Sequence, residues 1–161
     1  MLHDTKDDIN HMKILKTIRV DDSDKNIFDQ PAEPGEIAIT GSFAFSDKVF
    51  SELDRKGKIA YQSAWLGIGS FGNSTFVEVQ EVEESDLDQA QQKLAVYFVQ
   101  NFGAPSIADA LPVAQDELNY SVSLCEFDAG TILAIERTDT PEGIKESIRM
   151  ISQPEIIGAT L

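Results

Sequence analysis

Trp65-Leu66-Gly67-Ile68-Gly69-Ser70-Phe71-Gly72-Asn73-Ser74-Thr75-Phe76-Val77-Glu78-Val79-Gln80 is the stretch on which the fold turns. Its glycines spell Gly67-x-Gly69-x-x-Gly72, the string of a dinucleotide-binding fingerprint. That chemistry needs a strand, a tight turn, and then a helix whose N-terminal amides face a pyrophosphate. Here the glycines run instead into a segment where Thr75, Val77 and Val79 alternate with Phe76, Glu78 and Gln80. A period of two is a strand signal. The reading is a strand-like run over 58–71, a hairpin turn at Gly72-Asn73 and a second strand over 74–82. No βαβ repeat follows, so the glycines are expected to make a bulge and a turn, and the unit argues for antiparallel pairing.

Upstream, Lys13 to Val20 reads as a strand with Ile14, Ile18 and Val20 on one side. An acidic loop over 21–26 and a turn at Pro31–Gly35 follow. Glu36 to Phe45 alternates, with Ile37, Ile39, Phe43 and Phe45 on one face, as in a half-buried strand. Residues 46–57 suggest a loop or a short helical turn. Downstream the period changes. Ser85 is placed to cap a helix carrying Leu87, Ala90, Leu94, Tyr97 or Phe98, and Phe102, ended by Gly103 and Pro105. A second stripe, Ile107, Leu111, Ala114, Leu118, Val122 and Cys125, predicts another helix over about 106–127 that Pro112 kinks or divides. Thr131 to Arg137 reads as a last strand, and Pro141 is suited to open a short helix over 141–151. Strands followed by helices predict an α+β fold. The expected form is a mainly antiparallel sheet of about five strands with two principal helices on one face. A flexible segment is expected over 1–12, a single domain over 13–151 and a tail over 152–161.

Charge narrows the function classes. Among 161 residues, 28 are acidic and 13 basic, a net charge of -15. Such a chain repels a phosphate backbone and an anionic membrane surface, and its acidity reads first as a means of staying soluble and second as a fit for basic partners. Nucleic-acid and membrane binding are therefore not expected. Apolar content of 42% is enough to build a core without a disulfide, and the single cysteine, Cys125, allows no internal one. No apolar run approaches the roughly 18 residues that cross a bilayer, and no apolar leader is evident, so a cytoplasmic protein is expected.

Catalytic chemistry finds few residues to work with. The two histidines, His3 and His11, lie in the N-terminal segment, which leaves the domain body without a Ser-His-Asp, Cys-His or His-rich metal set. Asp22, Asp24, Asn26 and Glu33 match positions 1, 3, 5 and 12 of a calcium loop, but Ile27 stands where the loop needs glycine. A solvated acidic loop is the expectation there. Cys125 falls on an apolar helical stripe and reads as a small buried hydrophobe. Asp116-Glu117 and Glu81, Glu83 and Glu84 read as solvated faces. Arg55, Lys56 and Lys58 form a basic cluster, read as a solvated turn before an anion or partner contact. No catalytic residue, metal ligand or cofactor is assigned, and whether the chain is an enzyme stays open. The run Tyr61-Gln62-Ser63-Ala64-Trp65 either anchors the core or lines a groove. Glu136 interrupts an apolar strand beside Arg137, as a cross-strand ion pair or a pocket carboxylate. Tyr61, Ser63, Trp65 and Glu136 are the candidate ligand-binding residues.

Lys13–Arg19, Ala32–Glu36, Leu66-Gly67-Ile68, Gly72–Thr75, Phe102–Pro105 and Ser123–Cys125, taken in that order, resemble an uncharacterised family of small bacterial proteins, a domain of unknown function. The resemblance spans residues 12 to about 138. It implies a bacterial, cytoplasmic protein and supplies no activity, cofactor or catalytic residue to carry over. The expectation is an acidic, non-catalytic binding or accessory protein that presents a sheet edge or its acidic face to a protein partner. The alternative is a small-ligand-binding protein or a His-independent enzyme, with a pocket between helices and sheet. Self-association through an uncovered strand edge is compatible with either.

Overall fold

In the computed structural model, which describes residues 12–20 and 23–151, the chain forms four helices and one seven-stranded antiparallel sheet among the described residues. The order is β1 (Met12–Ile18), α1 (Ser23–Ile27), β2 (Ile37–Ile39), α2 (Arg55–Ser63), β3 (Trp65–Ile68), β4 (Asn73–Ser74), β5 (Phe76–Val82), α3 (Glu84–Asn101), α4 (Ile107–Ser123), β6 (Ile132–Thr140) and β7 (Gly143–Ile151). Across the sheet the strands run β4-β3-β2-β1-β5-β6-β7.

Register sorts the side chains. Leu15 pairs with Val79, Thr17 with Val77, and Val77 with Leu133, so these share one face. Leu15, Val77, Val79 and Leu133 build one core cluster with Ala38, Trp65 and Ile135. Ile14, Ile37, Ile39, Leu66 and Ile68 belong to a second cluster, under Leu94 and Phe98 of α3 and Ala114 and Leu118 of α4. Every residue of β2 and β3 is buried, so the middle of the sheet is covered on both sides. Ser121 of α4 donates to the Ala38 carbonyl at 2.6 Å, which joins the long helix directly to β2.

The α+β class and the antiparallel pairing stand as the sequence predicts, and the details change in four places. First, the sheet has seven strands where about five are expected, and α1 and α2 join the two principal helices. Second, the run over 58–71 is helix and then strand. Asp54 accepts the Gly57 N–H at 2.7 Å and starts α2, and this cap prevails over the short alternation of Ile59 and Tyr61 with Lys58 and Gln62. The basic cluster Arg55, Lys56 and Lys58 therefore lies in the first turns of a helix, with Lys56 3.5 Å from Asp29. The hairpin forms between β3 and the two-residue β4, while β5 pairs with β1.

Third, the strand expected over 36–45 ends at Ile39. Gly41, at φ +73, turns the chain into a 3-10 turn over Ser42–Phe45. Phe43 then packs edge-on against Phe98 and Phe102, and Phe45 against Tyr61. Fourth, 141–151 is a strand and not a helix. Thr140 pairs with Gly143 across Pro141-Glu142, and β7 zips along the whole of β6. The fixed φ of proline serves the second position of a turn as well as the first turn of a helix, so pairing with β6 decides.

Smaller differences follow the same logic. The first long helix begins one residue before Ser85, with Glu83 at its cap position, and Pro112 sits inside a continuous α4. Ser106 caps α4 by accepting the Asp109 N–H at 3.1 Å. Asp24 is no solvated loop residue, since it is buried in α1 and accepts the Thr75 hydroxyl at 2.7 Å. His3, His11, Asp22, the C-terminal tail at 152–161 and residues 1–11 of the segment expected over 1–12 lie outside the described residues, while Met12 opens β1.

Cys125 is buried, and its thiol donates to the Ser121 carbonyl at 3.4 Å. Burial pushes the thiol up to about 11, with the Lys13 ammonium opposing. At pH 8 it is therefore expected to be almost wholly protonated and unreactive. Iodoacetamide should label the native protein far more slowly than the urea-unfolded chain, read by intact mass. Equal rates would contradict the buried, protonated thiol.

Candidate functional site

The glycine string is filled from within. Glu36, just ahead of β2, lays its carboxylate into the turn between β3 and β4. It accepts the Ser70 N–H at 2.6 Å, the Ser70 hydroxyl at 2.7 Å and the Glu33 N–H at 2.6 Å. A Cβ on Gly67 or Gly69 would fall 2.9 or 2.8 Å from its Oε1 atom. At Gly72 a Cβ would fall 2.6 Å from the Pro31 carbonyl carbon and oxygen. The spacing thus admits a close-packed side-chain carboxylate and a neighbouring backbone. The amides here already serve an internal anion.

Arg137 is the polar group the sequence reading passed over. It is 2% exposed on β6. Its guanidinium donates to the Ser42 hydroxyl at 2.5 Å, to the Tyr61 carbonyl at 3.1 Å and to the Thr40 carbonyl. It also stacks over Phe45, 4.9 Å from the ring centroid. Ser42 in turn donates to Glu146 at 2.5 Å, the residue opposite Arg137 on β7. Burial pulls the guanidinium down to about 10, with Glu146 opposing, so it stays a cation at neutral pH. One side chain therefore ties β6 to the segment after β2 and to the end of α2. The signal was present, because Arg137 continues the Leu133–Ile135 face at period two, and Glu136 continues the other.

The four candidate ligand residues separate into two pairs. Ser63 and Glu136 line the same open cleft of about 750 Å³, with Gln62, Phe76, Asp139 and Arg149. Glu136 is exposed and faces Ser147 across the ladder. The Ser63 hydroxyl donates to the Ile59 carbonyl at 2.9 Å and has no paired base there. Tyr61 and Trp65 lie in the core at 1% and 0% exposure. Tyr61 meets Phe45 and Phe50 edge-on, and its phenol is pushed up by burial and by Asp139, with Arg137 opposing. Trp65 sits among Leu15, Val77 and Leu133, and its indole N–H has no hydrogen-bond partner among the described residues. Among the described residues, no group of three or more His, Cys, Asp or Glu side chains is placed to hold a metal ion. No helix among them is long and apolar enough to cross a membrane.

The two edges of the sheet differ sharply. β4 has two residues and is followed at once by the bend into β5. β7 has nine, all paired with β6, and among the described residues nothing pairs with its outer side. Thr131 accepts the Val79 N–H at 2.8 Å, which fixes which residues of β6 turn their backbone toward β5. By alternation, the backbone N–H and C=O groups of Ile144, Glu146, Ile148 and Met150 point away from β6.

No curated protein and no solved structure matches the sequence. One family model matches residues 12–158, a span that holds every strand, helix and cleft described above, and the chain accordingly belongs to the family of unknown function DUF6505.

Proposed function

We propose that this chain is a non-catalytic accessory protein that binds a protein partner by adding an extended segment of it to the outer edge of β7. The observation that carries the reading is the edge itself, a nine-residue regular strand with alternate backbone groups turned outward. Such an edge gives main-chain hydrogen bonds to an incoming strand. Its side chains favour another protein over a second copy. Antiparallel self-pairing centred on Ser147 would set Lys145 opposite Arg149, and like charges facing across a ladder repel.

Met150→Pro is the test. Met150 is 59% exposed, so the change removes one outward N–H and leaves the pairing with β6 in place. In low-salt purification from the native organism, the wild-type chain is expected to carry a stoichiometric partner and the variant to lose it. Equal capture by both would remove the edge from the account. A chain that emerges alone and monodisperse would remove the partner.

The cleft favours a second reading, a small amphiphilic ligand held between Phe76, Glu136 and Arg149. A ligand at saturating concentration raises the melting temperature by mass action. Under this reading one compound class in a thermal-shift screen stabilises the wild type and not Glu136→Gln. No shift across nucleotides, acyl-CoAs and metal ions would count against it.

A further inference from the structure

We infer that the apolar hollow beside α4 is a docking surface for an amphipathic helix of a protein partner, one whose apolar stripe is flanked by lysines and arginines. The hollow holds about 420 Å³ and is open to solvent, with Phe43, Phe98, Phe102, Pro105, Ala110 and Val113 in its wall. The hollow shares no lining residue with β7 and stands on different observations.

The apolar surface continues along α4. Val113 is 51% exposed, Phe102 44% and Tyr120 41%. Val113 and Tyr120 are seven residues apart, so they share one side of the helix. Asp109, Asp116 and Glu117 stand four before, three after and four after Val113, which places them beside that line. Asp109 to Tyr120 covers about 16 Å of helix at 1.5 Å per residue, about three turns of a partner helix laid alongside. An apolar line flanked by carboxylates is what a basic amphipathic helix fits.

The charge argues for the occupant. α4 carries Asp109, Asp116 and Glu117 and no lysine or arginine. Glu146 of β7 joins them, accepting the Tyr120 hydroxyl at 3.4 Å. Arg137 stands opposite Glu146 across the ladder and is linked to it through Ser42, so it offsets part of the charge at that end and leaves Asp109, Asp116 and Glu117 without a basic neighbour on α4. The Glu117 carboxyl is pushed up by burial and then by Glu146 and Asp116. The strip is thus a concentration of negative charge around exposed apolar groups. An incoming helix with lysines at its flanks neutralises it and covers Phe102, Val113 and Tyr120 at the same time.

The probe is a synthetic helical peptide of about four turns, with leucines at i, i+4 and i+7 and lysines on both flanks. A scrambled peptide of the same composition is the control, and binding to the full chain is read by fluorescence anisotropy. The helical peptide is expected to bind at least about tenfold more tightly than the scramble. Val113→Lys, at an exposed position, should weaken it by a similar factor. Glu117→Gln should weaken it and flatten its salt dependence, while raising the melting temperature near neutral pH, because a carboxylate strained by its neighbours is removed. Met150→Pro should leave binding unchanged, which separates this surface from the β7 edge. Equal affinity for the scramble, or no effect of Val113→Lys, would overturn the inference. Loss of binding in Met150→Pro alone would move the peptide to the edge and overturn it also.

Discussion

Arg137→Met is expected to destabilise the fold by about 3 kcal/mol, the largest loss from any single side-chain truncation considered. Two effects oppose each other. Taking a cation out of water costs several kcal/mol, and methionine escapes that cost. The change also strands the Thr40 and Tyr61 carbonyls and the Ser42 hydroxyl, each of which now receives a charged donor. An unsatisfied buried acceptor costs about 1–3 kcal/mol, so three of them outweigh the relief. Arg137→Lys is not expected to rescue it, because a single ammonium does not span three acceptors held in a planar fork. Trp65, the single tryptophan, is fully buried and reports unfolding by its fluorescence. Urea midpoints read at Trp65 should fall for both variants. A methionine variant as stable as the wild type would mean that the desolvation cost dominates.

Gly72→Ala is expected to cost about as much, for a steric reason. Its Cβ would meet Pro31 and Ala32 backbone atoms at 2.6–2.7 Å, and backbone yields less readily than a side chain. Gly69→Ala is a finer probe. All three of the nearest atoms to its Cβ belong to Glu36. Taken alone, Gly69→Ala should cost about 2 kcal/mol, and Glu36→Ala a similar amount by freeing the Ser70 and Glu33 amides. In combination they should cost less than their sum by about 1 kcal/mol, since the clash vanishes with the carboxylate. Additive losses would show that Glu36 does not fill the glycine turn in solution.

These two cases mark where local reading reaches its limit. Gly67, Gly69 and Gly72 announce a close approach, but not what approaches. The same spacing serves a pyrophosphate or a glutamate, and Glu36 lies 34 residues from Ser70. At Glu136-Arg137 the alternation separates the two side chains, yet the inward charge finds acceptors 76 and 97 residues away that no window contains. Tyr61 and Trp65 stand out as aromatics, and aromatics anchor cores as readily as they line grooves. Phe45 and Phe50 close over Tyr61, and Leu15, Val77 and Leu133 surround Trp65. Ser63 and Glu136, 73 positions apart, share a cleft only because α2 ends beside β6.

Local pattern along the chain was enough for the α+β class, the antiparallel pairing and the two long helices, because period two, period 3.6 and capping residues act over neighbouring positions. It also determined the acidity of α4, the isolation of Cys125 and the lack of histidine between 12 and 161. Tertiary structure alone decided that 141–151 is a strand, since Pro141 suits a turn and a helix start equally and only β6 offers the missing hydrogen bonds. It likewise decided that β7 ends the sheet among the described residues, that the inward Arg137 meets a set of carbonyls, and that a glutamate occupies the glycine turn. Each of these depends on a partner distant along the chain, and burial makes such a partner obligatory without naming it.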